Sequence, residues 1–261
     1  MGNAARRLDT WLVVLGSVSL VAWSVLAFDR SGLIMPAFCS AATPWPAPLS
    51  VSFDQALAFN SPAKLASGWA LMIAAMMLPL VIAPLRHVRD RSFASRRKRA
   101  TLQFVAGYLA VWMIAGIGLQ TMAFAARWAV PAPLPCLGLA AALAMVWQVS
   151  PAKQWCLNRC HRRPHLAAFG AAADRNAFEF GLSNGASCVG ACWALMLLML
   201  LVEHGHLPAM AAVTVFVLAE RLESPAPLAW RWRGPGKALR IVTAQARIRL
   251  ALRSNVGEAS L

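Results

Sequence analysis

Long apolar runs, broken by short segments rich in proline or charge, are the dominant pattern of this chain. A helix needs about 20 apolar residues to cross a bilayer. Six stretches approach that standard: roughly 10–28, 64–85, 102–123, 131–149, 183–202 and 207–220. The fourth and sixth are the weakest, and the sixth, "LPAMAAVTVFVLAE", is short and ends on Glu220. A backbone surrounded by hydrocarbon must satisfy its own hydrogen bonds, which is why such windows read as helices. The pattern predicts an all-α fold: a polytopic membrane helical bundle over residues 1–223 with about six transmembrane helices, then a basic tail over 224–261.

The segments between the runs are polar for different reasons. Prolines and serines in 29–63 forbid one long helix, although "FDQALAFN" suits a short amphipathic turn at the interface. "RHVRDRSFASRRKR" is a charge run, sufficient as a solvated anchor beside anionic headgroups. The link "RWAVPAPLP" is short. The tail carries "WRWRGPGKALRIVTAQARIRLALR", whose tryptophans and arginines suit an inner membrane surface. No internal repeat and no glycine-rich phosphate loop stands out.

Composition strengthens the membrane reading. Of 261 residues, 59% are hydrophobic and 13% charged, whereas soluble domains run nearer half apolar and a quarter charged. The net charge of +15 would suit nucleic acid, but its distribution argues otherwise. With a cytoplasmic N-terminus, the inner segments hold 22 of the 25 Lys and Arg residues, leaving only Arg30, Lys64 and Arg127 outside. The positive-inside rule predicts that asymmetry and sets both termini in the cytoplasm. The charge encodes orientation, and no nucleic-acid partner is expected. The first apolar run is too long for a signal peptide and lacks a small-x-small site before Asp29, so a retained helix is expected.

Candidate chemistry lies in sulfur. Asn184, Cys188, Cys192 and Met196 follow at four-residue steps in "NGASCVGACWALM" and so share one helix face. Ala186, Gly190 and Ala194 form a second row, roughly 200° away at 100° per residue, suited to close helix approach. These rows predict a central helix that packs on one side and shows sulfur on the other. Met72 and Met76 are also four apart, with Met77 adjacent and Pro79 placed to kink the helix. Cys156 and Cys160 repeat the step just before His161, and share a face if the span continues past Gln148 as an interfacial helix. Thiolate and thioether are soft donors that favour Cu(I), with other transition metals as alternatives. Against this, methionine often fills gaps and buried free cysteine behaves as a small hydrophobe. Two cysteine pairs and a methionine pair together favour metal over packing.

Other residues carry weaker signals. "CLNRCH" has three residues between its cysteines where haem attachment needs two. His204 and His206 flank a tight turn, either as polar turn residues or as accessory ligands at an entry or exit point. Glu220 is an intramembrane carboxylate and so a functional candidate, while Arg221 beside it equally fits an interfacial ion pair. Cys39 and Cys136 both fall on the outer side, where a disulfide persists if the compartment is oxidising. No nucleophile–base pair is recognisable, so an enzyme is not expected.

The segments "GWALMIAAMMLPL", "GYLAVW", "WQVSPAKQWCLNRCHRRP" and "CVGACWALM", with "VLAERLE" after them, resemble a bacterial family of predicted metal-binding integral membrane proteins. That family was long classed as a domain of unknown function, and some members are described as copper chaperones. The resemblance covers about 64–223. It implies a multi-pass protein of the bacterial inner (plasma) membrane, with Met72, Met76, Met77, Cys156, Cys160, Cys188 and Cys192 at the family's sulfur positions. Trp69, Trp193 and Glu220 match non-sulfur positions. The chain departs from the pattern at Ala191, where the family often has a second adjacent cysteine, and at "HGHLP", where it often has Met-Asn. The implied function is a copper chaperone that holds Cu(I) through Cys and Met and hands it to a copper-dependent client protein. A membrane thiol–disulfide relay and a metal transporter are the competing readings; the three-residue cysteine gap weakens the first, and the lack of repeats or broken-helix pairs weakens the second.

Overall fold

The computed structural model describes residues 2–28, 62–130, 132–202, 205–232, 234–241, 243–245 and 247. Cys39, His204 and the amphipathic stretch within 29–61 lie outside the described residues. Every regular element among those described is an α-helix. In chain order these are α1 (Gly2–Phe28), α2 (Pro62–Asp90), α3 (Arg97–Ala129), α4 (Pro133–Val149), α5 (Pro151–Cys160), α6 (Gly170–Leu201) and α7 (His206–Leu222).

Three helices, Ala63–Asp90, Arg97–Ala129 and Gly170–Leu201, are long and apolar enough to cross a membrane. The pair α4 and α5 adds a fourth if counted as one broken span. The apolar part of α1, Val13–Phe28, is shorter, and α7 has only 17 residues. Length and composition thus support three to four crossings among the described residues, fewer than the six stretches the hydropathy pattern suggests. Large apolar side chains remain exposed on the outside of the bundle, among them Leu20, Leu102, Ile114, Ile117, Leu139 and Val215. Contiguous apolar surface of this kind is compatible with lipid contact.

Proline shapes two joints. Pro79 stands inside α2 without breaking it. It has no N–H to give the carbonyl four residues earlier, which is Ala75. That oxygen is instead satisfied from α1, by Ser19 Oγ at 2.8 Å and Trp23 Nε1 at 3.1 Å. A residue that weakens one helix therefore docks another onto it. Pro151 has the opposite effect. The chain bends by 64° between α4 and α5, because Ser150 is extended and caps α5 by accepting from the Lys153 N–H at 3.1 Å, with Pro151 in the first turn. The stretch after Gln148 is therefore a separate short helix folded against α6, where the sequence suggested a continuing interfacial one.

α6 is the centre. It packs most extensively on α3 and also contacts α4, α5 and α7. Gly107 and Gly181 bring the α3 and α6 backbones together: a methyl at either would run into the carbonyl oxygen of Phe178 or Phe104 respectively. The close-approach row is thus Gly181 and Gly185. Of the predicted row, Ala186 is exposed, and Gly190 faces α5 instead. The sulfur stripe is not an open face opposite the packed one; Asn184, Cys188, Cys192 and Met196 are all buried. Four helices crowd around α6, which leaves little of it open. Gly205, with φ 71°, adopts the left-handed conformation that reverses the chain into α7.

The basic segments collect at one end of the bundle. Arg96 and Arg99, before and within α3, bond Asp174 of α6 at 2.8 and 2.9 Å. His87 of α2 lies 2.9 Å from the Pro164 carbonyl, and Phe93 packs on Phe169 with ring centroids 4.9 Å apart.

Candidate metal centre

Cys188 and Cys192 sit one turn apart on α6, each 1% exposed. The Cys192 thiol donates to the Cys188 carbonyl at 3.1 Å. That turns its sulfur back towards Cys188, with which it interacts directly. From α3, the Tyr108 hydroxyl donates to Cys188 Sγ at 3.3 Å. Tyr108 is the only tyrosine in the chain and is itself buried among Phe104, Trp112 and the α6 thiols.

α5 brings the second pair. The four-residue step puts Cys156 and Cys160 on one buried face, as the spacing predicts. Cys156 nestles over Gly190; a methyl there would lie 2.5 Å from its sulfur. Cys160 lies within electrostatic range of both Cys156 and Cys188. The bend at Ser150 is what delivers these thiols, since a straight continuation of α4 would carry them away from α6. Trp147, at the end of α4, secures the approach by donating to the Gly190 carbonyl at 3.0 Å and meeting Trp193 edge-on with centroids 5.1 Å apart.

α7 closes the cluster with one carboxylate, Glu220, and one cation, Arg221. Glu220 is held by Lys153 Nζ, at 2.8 Å from each oxygen, and by Gln148, which also accepts from Lys153. The pair is almost fully enclosed, Lys153 being 2% and Glu220 5% exposed. The Glu220–Arg221 ion pair, one of the two readings the sequence left open, does not form. Successive helix positions point about 100° apart, so Arg221 faces elsewhere and lies within electrostatic range of the Cys160 and Cys188 sulfurs. Sequence reasoning missed Lys153, Gln148 and Tyr108.

The remaining candidates are placed as follows. Met72, Met76, Met77 and Met196 are buried in the same apolar core as Cys188 and Cys192. Trp69 lies over Gly116 and donates to the Trp112 carbonyl at 2.8 Å. His161 ties α5 to α7, its ring nitrogens 2.9 Å from the Leu157 carbonyl and 3.2 Å from that of Arg221. His206 is buried at the far end of α7, near the Met199 and Val202 carbonyls but without a well-formed hydrogen bond. Cys136 is a free, buried thiol.

Among the described residues, no three or more His, Cys, Asp or Glu side chains converge as a metal cage. The thiols are arranged pairwise. Hard or tetrahedral ions want three or four such donors, whereas soft, low-coordinate ions accept two sulfurs.

Among the described residues, the structure is all-helical, with membrane-length apolar helices and paired thiols buried between them. The family model PpoB2, described as "Copper chaperone", matches residues 66–242, and the chain belongs to that family. Its role is therefore copper-related, in agreement with the resemblance over 64–223. Among curated proteins and solved structures, none matches the chain.

Proposed function

We propose that this protein is a membrane-embedded Cu(I) chaperone that carries copper on paired thiols and passes it to a copper-dependent client. The observation that carries the reading is the burial of Cys188 and Cys192 on α6, within electrostatic range of Cys160 from α5. Copper is the cargo here. Its transfer proceeds by ligand exchange, each incoming sulfur of the client displacing one donor, so the ion is never free. Two soft donors bind it tightly enough to exclude water yet leave it open to attack. Cys156 and Cys160, at the end where basic segments gather, receive copper first. Met72, Met76, Met77 and Met196 supply thioether sulfur deeper in the core, His204 and His206 are accessory, and Glu220 and His161, already engaged, hold α5 against α7. The basic end faces the cytoplasm of the inner membrane, as the positive-inside rule requires. No catalysis is proposed.

The test is uptake of Cu(I) by the purified protein under reducing conditions, wild type beside Cys188→Ser/Cys192→Ser. Wild type retains copper through desalting and the double variant loses most of it. Equal uptake by both would remove the thiols from the role. The paired cysteines would also suit a thiol–disulfide relay, and trapping thiols in intact cells separates the two. A relay cycles through an oxidised form, whereas a copper site is protected from alkylation by copper alone.

A further inference from the structure

Phe104, Tyr108 and Trp112 follow at four-residue steps on α3, so they share one face of that helix. All three are buried, at 0%, 3% and 0% exposure. Glycines of α6 let this face come close. A methyl at Gly181 would strike the Phe104 carbonyl, and one at Gly185 would lie 3.2 Å from that of Tyr108. Cys188 follows Gly185 by three residues, which puts its side chain on the same side of α6.

Of the three aromatic residues, only Tyr108 carries a hydroxyl, and packing does not call for one. Its ring stacks on Phe104 with centroids 6.4 Å apart, a contact that phenylalanine would keep. A hydroxyl removed from water is costly unless it is hydrogen-bonded, and a neutral cysteine sulfur is a weak acceptor. Yet Cys188 Sγ, at 3.3 Å, is the acceptor that the Tyr108 hydroxyl meets. Cys192 is held differently, through its own thiol, which donates to the Cys188 carbonyl at 3.1 Å.

The hydroxyl acquires a purpose when the sulfur changes. As copper binds, the Cys188 S–H bond breaks, its proton leaves to solvent and a Cu–S bond forms; no electron changes hands. The sulfur then carries negative charge, and a hydrogen bond to an ionised acceptor is roughly twice as strong as a neutral one. A donor already aimed at that sulfur strengthens without any helix moving. Such partners orient a ligand atom and tune its hold on the metal.

We infer that Tyr108 is the positioning residue of the copper-bearing sulfur: its hydroxyl orients Cys188 Sγ and stabilises the charge that sulfur acquires with Cu(I). The inference rests on the copper reading and adds to it the group that sets Cys188 apart from Cys192.

The experiment uses the full chain in detergent. Tyr108 is the only tyrosine, so tyrosine isotopically labelled at Cζ gives a single NMR resonance that reports on this hydrogen bond. Cu(I) added under reductant is expected to shift it in wild type. In Cys188→Ala the resonance starts from a different position and no longer responds to Cu(I). Affinity is read in parallel, by competition with a chromophoric Cu(I) chelator. Tyr108→Phe keeps the ring, loses the hydroxyl and binds Cu(I) about 10–100-fold more weakly. A tyrosine that served packing alone would leave both the affinity of Tyr108→Phe and the wild-type resonance unmoved. Should Tyr108→Phe fail to fold, the labelled wild type and Cys188→Ala decide between them. Wild-type affinity in Tyr108→Phe, or a resonance that ignores bound Cu(I), overturns the inference and leaves the copper reading intact; a wild-type protein that takes up no Cu(I) overturns both.

Discussion

At the scale of single residues, the four-step spacing of Cys188 and Cys192, and of Cys156 and Cys160, was readable because a helix repeats its faces at fixed intervals. What the spacing could not give is the identity of the residue opposite each sulfur. Gly190 was read as part of a small-residue row for helix approach, and it is in fact the seat of one side chain, Cys156. The difference has a measurable consequence. Gly190→Ala puts a methyl against the Cys156 sulfur, and overpacking of this kind costs about 1–3 kcal/mol. In a Cys156→Ala background the obstruction is gone, and alanine instead gains about 1 kcal/mol over glycine from helix propensity. Thermal unfolding of the four combinations in detergent should therefore show Gly190→Ala destabilising in the first background and neutral or stabilising in the second. The same penalty in both would mean that Cys156 is not what fills the gap.

At the scale of elements, each stretch the hydropathy pattern selected falls within one helix, to within a residue or two, among the described residues, and what the pattern misjudged was how helices end and meet. The Ser150–Pro151 joint was visible as letters but not as a 64° bend, since an N-cap serine before proline fits a new helix and a kinked continuation alike. Lys153 was counted as one more cytoplasmic charge. Its role depends on a glutamate 67 residues away in sequence, a relation that no local pattern encodes. The Lys153–Glu220 pair anchors α5 against α7 and so holds Cys156 and Cys160 over α6. Breaking a buried pair leaves one uncompensated charge and costs about 3–5 kcal/mol, while replacing both partners by apolar side chains is near neutral. Lys153→Met and Glu220→Met are each expected to lower the unfolding temperature sharply, and the double variant to recover most of the loss. If the double variant is as unstable as the sum of the singles, the two residues act separately and the anchor is not their pairing.

At the scale of the whole molecule, orientation was inferred from charge alone, and the fold now supplies an independent geometric premise. Arg96 and Arg99 reach Asp174 across the gap between α3 and α6, while His87 approaches Pro164. The segments rich in arginine therefore share one end, and the α3–α4 link lies at the other end of the long α3 helix. Basic residues near the ends of membrane helices resist translocation, and their asymmetry sets topology. In the proposed topology, with 22 of 25 basic residues in the segments assigned to the inside, the thiol end of α5 is the cytoplasmic one. Two exposed positions report on this, Ser95 at the basic end and Ala132 at the opposite one. In intact spheroplasts, a membrane-impermeant maleimide should label Ala132→Cys and leave Ser95→Cys unmodified until the membrane is permeabilised. The native thiols, buried in the bundle, provide the background to subtract. The reverse pattern would place Cys160 at the outer face, and copper would then have to be loaded from outside the cell and not from within it.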